Sequence, residues 1–206
     1  MTSEELETLL KVGYESNGVE FKGPGKRTDK DFLARVVRGV LGMSNRRDGG
    51  VVVIGIGSKK LEPMGLSPEE LNTWTNYDDV SASINEYASP SARFDIEIVE
   101  ISRKFFIVLY VYEFTDIPIL CTKDYNLGKS TVLRRGGCYV RARHKPETSE
   151  IPSEEEMREL LNLAIDKGVK DFVDRARHAG MIPSWFNEPN SGNITDPFQS
   201  LIEDPE

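Results

Sequence analysis

The run Gly49-Gly-Val-Val-Val-Ile-Gly-Ile56 constrains this chain most. Val51 to Ile56 is apolar without alternation. A strand with one face in water alternates, so a continuous apolar run marks a strand covered on both faces. The glycine pair gives that strand a sharp entry. The domain built around it therefore needs an apolar layer on each side.

The flanking segments supply candidates. Leu6, Leu9, Leu10 and Val12 lie near helical spacing after a Thr-Ser cap signal, and Gly13 ends the helix. Val19-Glu-Phe-Lys22 alternates as a strand does. Thr28 or Asp29 caps a helix whose stripe is Phe32, Leu33, Val36, Val37, Val40 and Leu41. Arg35 and Arg38 fall off that stripe, toward solvent. Helices are expected over 68–71 and 80–87. A hairpin is expected from 94–101 and 104–114, joined at Ser102-Arg103. Residues 122–130 read as a polar loop. Thr131 to Arg134 and Cys138 to Arg143 read as strand, bend, strand, with Arg141 and Arg143 on one side of the second. Glu150 to Ile165 is an amphipathic helix with Ser153 and Glu156 spaced as a capping box, and Val169 to Ala179 forms a second helix. The segment after Met181 is rich in Pro, Asn, Ser, Gly and acids and reads as a tail.

Length, 206 residues, allows one domain with an extension and a tail. No run reaches the roughly 20 apolar residues of a membrane span, and the acidic N-terminus has no apolar signal core. Cys121 and Cys138 form no CxxC and are expected to be reduced thiols in a cytoplasmic protein. The net charge of −8 is unevenly spread. Residues 21–60 carry a net +7 and residues 121–149 a net +5, alternating with acidic blocks. If the fold joins the two basic blocks, one face becomes strongly positive, and binding follows the local field rather than the total.

Candidate phosphate-gripping residues follow from these blocks. The first holds Lys22, Lys26, Arg27, Arg35, Arg38, Arg46, Arg47, Lys59 and Lys60; the second holds Arg134, Arg135, Arg141 and Arg143. Tyr139 sits among the latter, as a base-stacking or a core residue. Glu15 and Glu20 are the candidate catalytic and metal-binding carboxylates. A nucleotide-binding P-loop is absent: Gly128-Lys129-Ser130 matches its end, but Lys123 stands where its first glycine belongs.

The ordered set Glu15-Ser-x-x-Val-Glu-Phe-Lys22, basic helix, Asn45, Gly49-Gly-Val-Val-Val-Ile-Gly-Ile56, Gly136-x-Cys-Tyr-Val-Arg141 and Thr148 before a Glu-rich helix resembles the Schlafen-type AlbA domain. The resemblance covers about residues 5–165 and rests on order and spacing, since each piece is short. It implies an α+β fold with a mixed sheet packed with helices, often described as DNA-binding. In vertebrate Schlafen relatives, similar domains form an endoribonuclease acting on structured RNA such as tRNA. There two glutamates fall where Glu15 and Glu20 stand, and a third acid follows the Gly-Gly strand. This chain has Gly57-Ser-Lys-Lys60 at that place. Mg²⁺ or Mn²⁺ hydrolysis needs carboxylates to hold the ion, and two lysines favour phosphate over metal. Asp48 lies at the other end of the strand, about 20 Å away.

The sequence thus predicts a Schlafen AlbA-like domain over 1–165, a C-terminal helical extension over 166–181 and an acidic tail over 182–206. Its leading function is nucleic-acid binding, RNA or DNA, through the basic face. The alternatives are a metal-dependent endoribonuclease and an interaction subunit of a larger complex. A homo-oligomer is expected, as is a protein partner docking through the acidic tail.

Overall fold

The computed structural model describes residues 3–12, 17–57, 61–141 and 147–181. Glu15, Ser58, Lys59, Lys60, Arg143 and the tail at 182–206 lie outside the described residues. In chain order the elements are α1 (Ser3–Val12), β1 (Val19–Lys22), α2 (Lys30–Ser44), β2 (Gly50–Ile54), β3 (Ile56–Gly57) and β4 (Glu62–Pro63). Next come α3 (Pro68–Asn72), α4 (Tyr77–Asn85), β5 (Ala88–Ser89), β6 (Phe94–Ile101), β7 (Lys104–Val111) and β8 (Leu120–Cys121). The remainder are β9 (Tyr125–Leu127), β10 (Ser130–Leu133), β11 (Tyr139–Arg141), β12 (Thr148–Glu150) and α5 (Glu154–His178). The chain divides into two compact units, residues 1–165 and 166–206.

The first unit is built on a mixed four-stranded sheet in the order β1-β2-β7-β6. β1 runs parallel to β2, with Val19 opposite Val51 and Glu20 opposite Val52. β2–β7 and β7–β6 are antiparallel. As its sequence requires, β2 is covered on both faces. Val52 and Ile54 join one core with α2, α4 and the first turns of α5. Val53 joins a second core with Leu6 of α1, Phe21, Phe106 and Val108. Each such fully buried Val, Leu or Phe contributes roughly 1.5–3 kcal/mol relative to an exposed one.

α2 is the best-specified element. Asp29 caps it, its carboxylate accepting from the amides of Asp31 and Phe32. All six residues of the expected stripe are buried. The β6–β7 hairpin turns at Ser102 and Arg103, both in the left-handed region, as two-residue hairpin turns require.

Four expectations differ from the structure. The run Val51 to Ile56 is broken at Gly55, whose φ of +112° ends β2 and sends β3 to pair with β4. The segment 122–130 contains β9, which pairs with β10 around Gly128. β11 pairs with β12 rather than with the strand before the Gly136-Gly137 bend, so strand structure occupies 148–150 and the helix starts at Glu154. The last helices are one helix, since Gly168 alone does not terminate it. In the second unit this helix ends at Gly180, where the Met181 amide donates to the Ala176 carbonyl. Among the described residues no helix is long and apolar enough to cross a membrane.

Candidate functional site

Glu20 points from β1 toward α2 and is 5% exposed. A carboxylate in such a place demands partners. Arg141 Nη1 donates to Oε2 at 2.9 Å and the Thr148 hydroxyl to the same oxygen at 2.6 Å. Lys22 Nζ donates to Oε1. Arg141 also donates through Nη2 to the Val19 carbonyl at 2.7 Å. One carboxylate thus ties β1 to β11 and β12. Burial raises the Glu20 pKa, but the Lys22 charge and hydrogen bond, the Thr148 hydroxyl and Arg141 outweigh it and hold the carboxyl below its ordinary range.

α2 makes room for this cluster with Gly39 and Gly42. A Cβ at Gly39 would lie 3.0 Å from Glu20 Oε1, and one at Gly42 would lie 2.4 Å from Thr148 Cγ2. The Thr148 side chain is held by its hydrogen bond and cannot simply turn aside. Gly42→Ala is therefore expected to destabilise the domain by about 1–3 kcal/mol, despite alanine's better helix propensity. A thermal melt checks this, and a rise in Tm would refute the clash.

These contacts bear on two expectations. Glu20, expected as a metal ligand and catalytic carboxylate, has oxygens that accept from two cations and a hydroxyl, and Glu15, its expected companion, lies outside the described residues. Arg141, expected on a nucleic-acid surface, has a side chain only 1% exposed and serves as the counter-ion of Glu20.

The other predicted cations differ in what holds them. Arg27 is a strut: its guanidinium donates to the Thr73 carbonyl at 2.7 Å and the Ser83 hydroxyl at 2.5 Å, so it braces α3 and α4 and is no free grip for phosphate. Lys22 is bound to Glu20. Lys26 pairs with Glu69 at 2.7 Å and Arg134 with Glu150, both at the surface. Arg35, Arg38, Arg46 and Arg135 form no ion pair among the described residues. Arg46 is spent partly on the loop after α2, donating to the Gly49 carbonyl at 2.7 Å. Arg47 lies with Arg46 in a cleft of about 460 Å³ at the end of α2, which Glu156 and Glu159 also line.

The two basic blocks do meet. Asp31, Arg35 and Arg38 recur at four and three residues, on one side of α2. At one end the Tyr125 hydroxyl of β9 donates to Asp31 at 2.5 Å, which pushes the phenol up to about 12. At the other end the Arg38 guanidinium lies 5.7 Å from the centre of the Tyr139 ring of β11. The Tyr139 hydroxyl accepts from the Arg134 amide at 2.8 Å, linking the Arg134-Arg135 turn to α2. Tyr139 itself is 3% exposed, so it is a core residue under an arginine and no open stacking platform.

The model of the family described as Schlafen, AlbA_2 matches residues 15–149. This chain belongs to the Schlafen AlbA_2 family. A comparison with curated proteins found no match. Two solved structures are similar to this AlbA_2 chain. The DIP2311 protein from Corynebacterium diphtheriae is 15% identical, with a TM-score of 0.46 over 72% of this chain. The AlbA_2 chain spans only 26% of that protein. The N-terminal domain of a RecG-related protein from Nitrosomonas europaea is 19% identical, with a TM-score of 0.44, over 75% of this chain and 98% of that one.

Sequence reasoning assigned no role to Asn45, Thr148, Gly39 or Gly42 in the AlbA_2 chain. Asn45 is 4% exposed. Its Nδ2 donates to the carbonyls of Ile119 and Tyr139 and its Oδ1 accepts from the Ile119 amide, so it pins the end of α2 to β11. The available signal was positional: Asn45 and Thr148 are fixed points of the motif order, and the two glycines stand three apart on one helix side.

Proposed function

We propose that this AlbA_2 domain binds nucleic acid through the surface where α2 meets β9–β11. The observation that carries this reading is Arg35 with Arg38. Arg35 is exposed on α2 and Arg38 is half-buried over Tyr139, neither has an ion-pair partner among the described residues, and the second basic block packs beside them. Cations left uncompensated in a chain of net charge −8 create a local positive field. Lys129 and Arg135 are exposed on the adjoining hairpin and turn and extend it. Contacts of this kind go to phosphates, position the strand and carry little sequence information.

Binding without cleavage is the version favoured by the site, since Glu20 is committed to Arg141, Lys22 and Thr148. The test is a binding titration of the full chain against tRNA, single-stranded RNA and duplex DNA at several salt concentrations. Affinity that falls steeply with salt supports the reading. No detectable binding to any of the three at low salt overturns it.

A further inference from the structure

Arg35 and Arg38 have different neighbours on α2. On a helix, the groups within reach of a side chain stand three and four residues away. Around Arg38 these are Ala34, Arg35, Leu41 and Gly42, and none is an acid. Around Arg35 they are Asp31, Phe32, Arg38 and Gly39. An aspartate four residues before an arginine is the arrangement that ordinarily makes an ion pair on a helix surface.

That pair is not made. The Asp31 carboxylate accepts instead from the Tyr125 hydroxyl, 2.5 Å away. The 94 residues between the two make this a contact of the folded domain alone. Tyr125 is fixed for it from its own side. It stands opposite Leu133 in the β9–β10 pairing, and its ring packs against the main core. A hydrogen bond from a half-buried hydroxyl to a carboxylate is worth several times a solvent-exposed helix pair. The phenol therefore wins the carboxylate, and Arg35 stays exposed without an ion pair among the described residues.

We propose that Tyr125 is a positioning residue of the nucleic-acid face: by holding the Asp31 carboxylate it leaves the Arg35 guanidinium to a phosphate. This rests on the nucleic-acid reading and adds what keeps one of its two central cations available. Tyr125 acts through Asp31 and Arg35 and need not touch the strand itself.

The experiment titrates the full chain with whichever of tRNA, single-stranded RNA and duplex DNA it binds most tightly at low salt. The variants are Tyr125→Phe, Asp31→Asn and the two together, each checked by a thermal melt. Tyr125→Phe keeps the ring in the core and removes only the donor. Asp31 then turns to Arg35, and affinity should fall by about twofold or more, since a helix pair must first be broken. Asp31→Asn removes the competing charge and keeps an acceptor for the hydroxyl, so affinity should equal or exceed that of the parent chain. The double variant should bind as Asp31→Asn does, because no charge is left for the hydroxyl to withhold. If Tyr125 only fixed the β9–β10 hairpin, loss of its hydroxyl would cost the same factor in both backgrounds. That equal cost, parent affinity or better in Tyr125→Phe, or a loss in Asp31→Asn overturns the proposal while the nucleic-acid reading stands. A parent chain that binds none of the three nucleic acids overturns both.

Discussion

Arg141→Met is expected to destabilise the domain by about 3–5 kcal/mol, the usual cost of stripping one partner from a buried ion pair. In a chain of this size that lowers Tm by on the order of 10 °C. The loss arises because the Glu20 carboxylate stays buried with one counter-ion fewer, and the Val19 carbonyl loses its donor. Removing both charges should be less damaging than the sum of the single changes. The cycle of Glu20→Gln, Arg141→Met and the double variant measures that coupling. If Arg141→Met melts with the parent chain, the pair carries no stability.

The same carboxylate fixes a pH dependence. Its native pKa lies below the ordinary value of 4.5. Above about pH 4.5 it is ionised in both states and its stabilisation is complete. As pH falls the unfolded chain takes up its proton first, and the contribution is lost as pH passes down through the native value. Glu20→Gln should therefore show a shallower decline in Tm on acidification than the parent chain. Equal slopes would mean that other carboxylates dominate acid unfolding.

The second large effect concerns binding. Arg35→Glu with Arg38→Glu should weaken association with tRNA and with duplex DNA by at least about tenfold, since each charged hydrogen bond to phosphate is worth roughly 1.5–3 kcal/mol. The dependence of log K on log salt should flatten by about 0.9 for each duplex phosphate that is no longer neutralised. Arg103→Asn is the control. It removes a cation at the β6–β7 turn and keeps a residue type that tolerates the left-handed conformation there. Equal losses in the two variants would point to a diffuse field in place of a defined face.

The fold was legible where local chemistry and burial agree. The apolar stripe of α2, the Asp29 cap and the unbroken valines of β2 each announce their element and its covered faces. β9 was not legible, because Tyr125-Asn-Leu127 has the composition of a loop and is fixed from outside by Asp31. The candidate site was half legible. The two basic blocks were visible as charge density, and their meeting depended on the packing of α2 against β10–β12. Which cations stay available was hidden. Arg141 and Arg35 look alike in sequence, yet one is buried on Glu20 and the other faces outward, and a 121-residue separation gives no local sign of the first. The surroundings of Glu20 were hidden for the same reason. Alternation between Val19 and Phe21 says that it points away from them, but not that α2 and β12 close over it.

That separation has a kinetic meaning. A contact across 121 residues forms only after a long loop has closed, and loop closure comes late relative to helices and hairpins. Interactions absent from the transition state slow unfolding without hastening folding. The Glu20–Arg141 pair is thus expected to act as a clasp on an already assembled sheet. Its removal should steepen decay of the folded state and leave the refolding rate nearly unchanged, so that what one buried carboxylate sets is the lifetime of the domain.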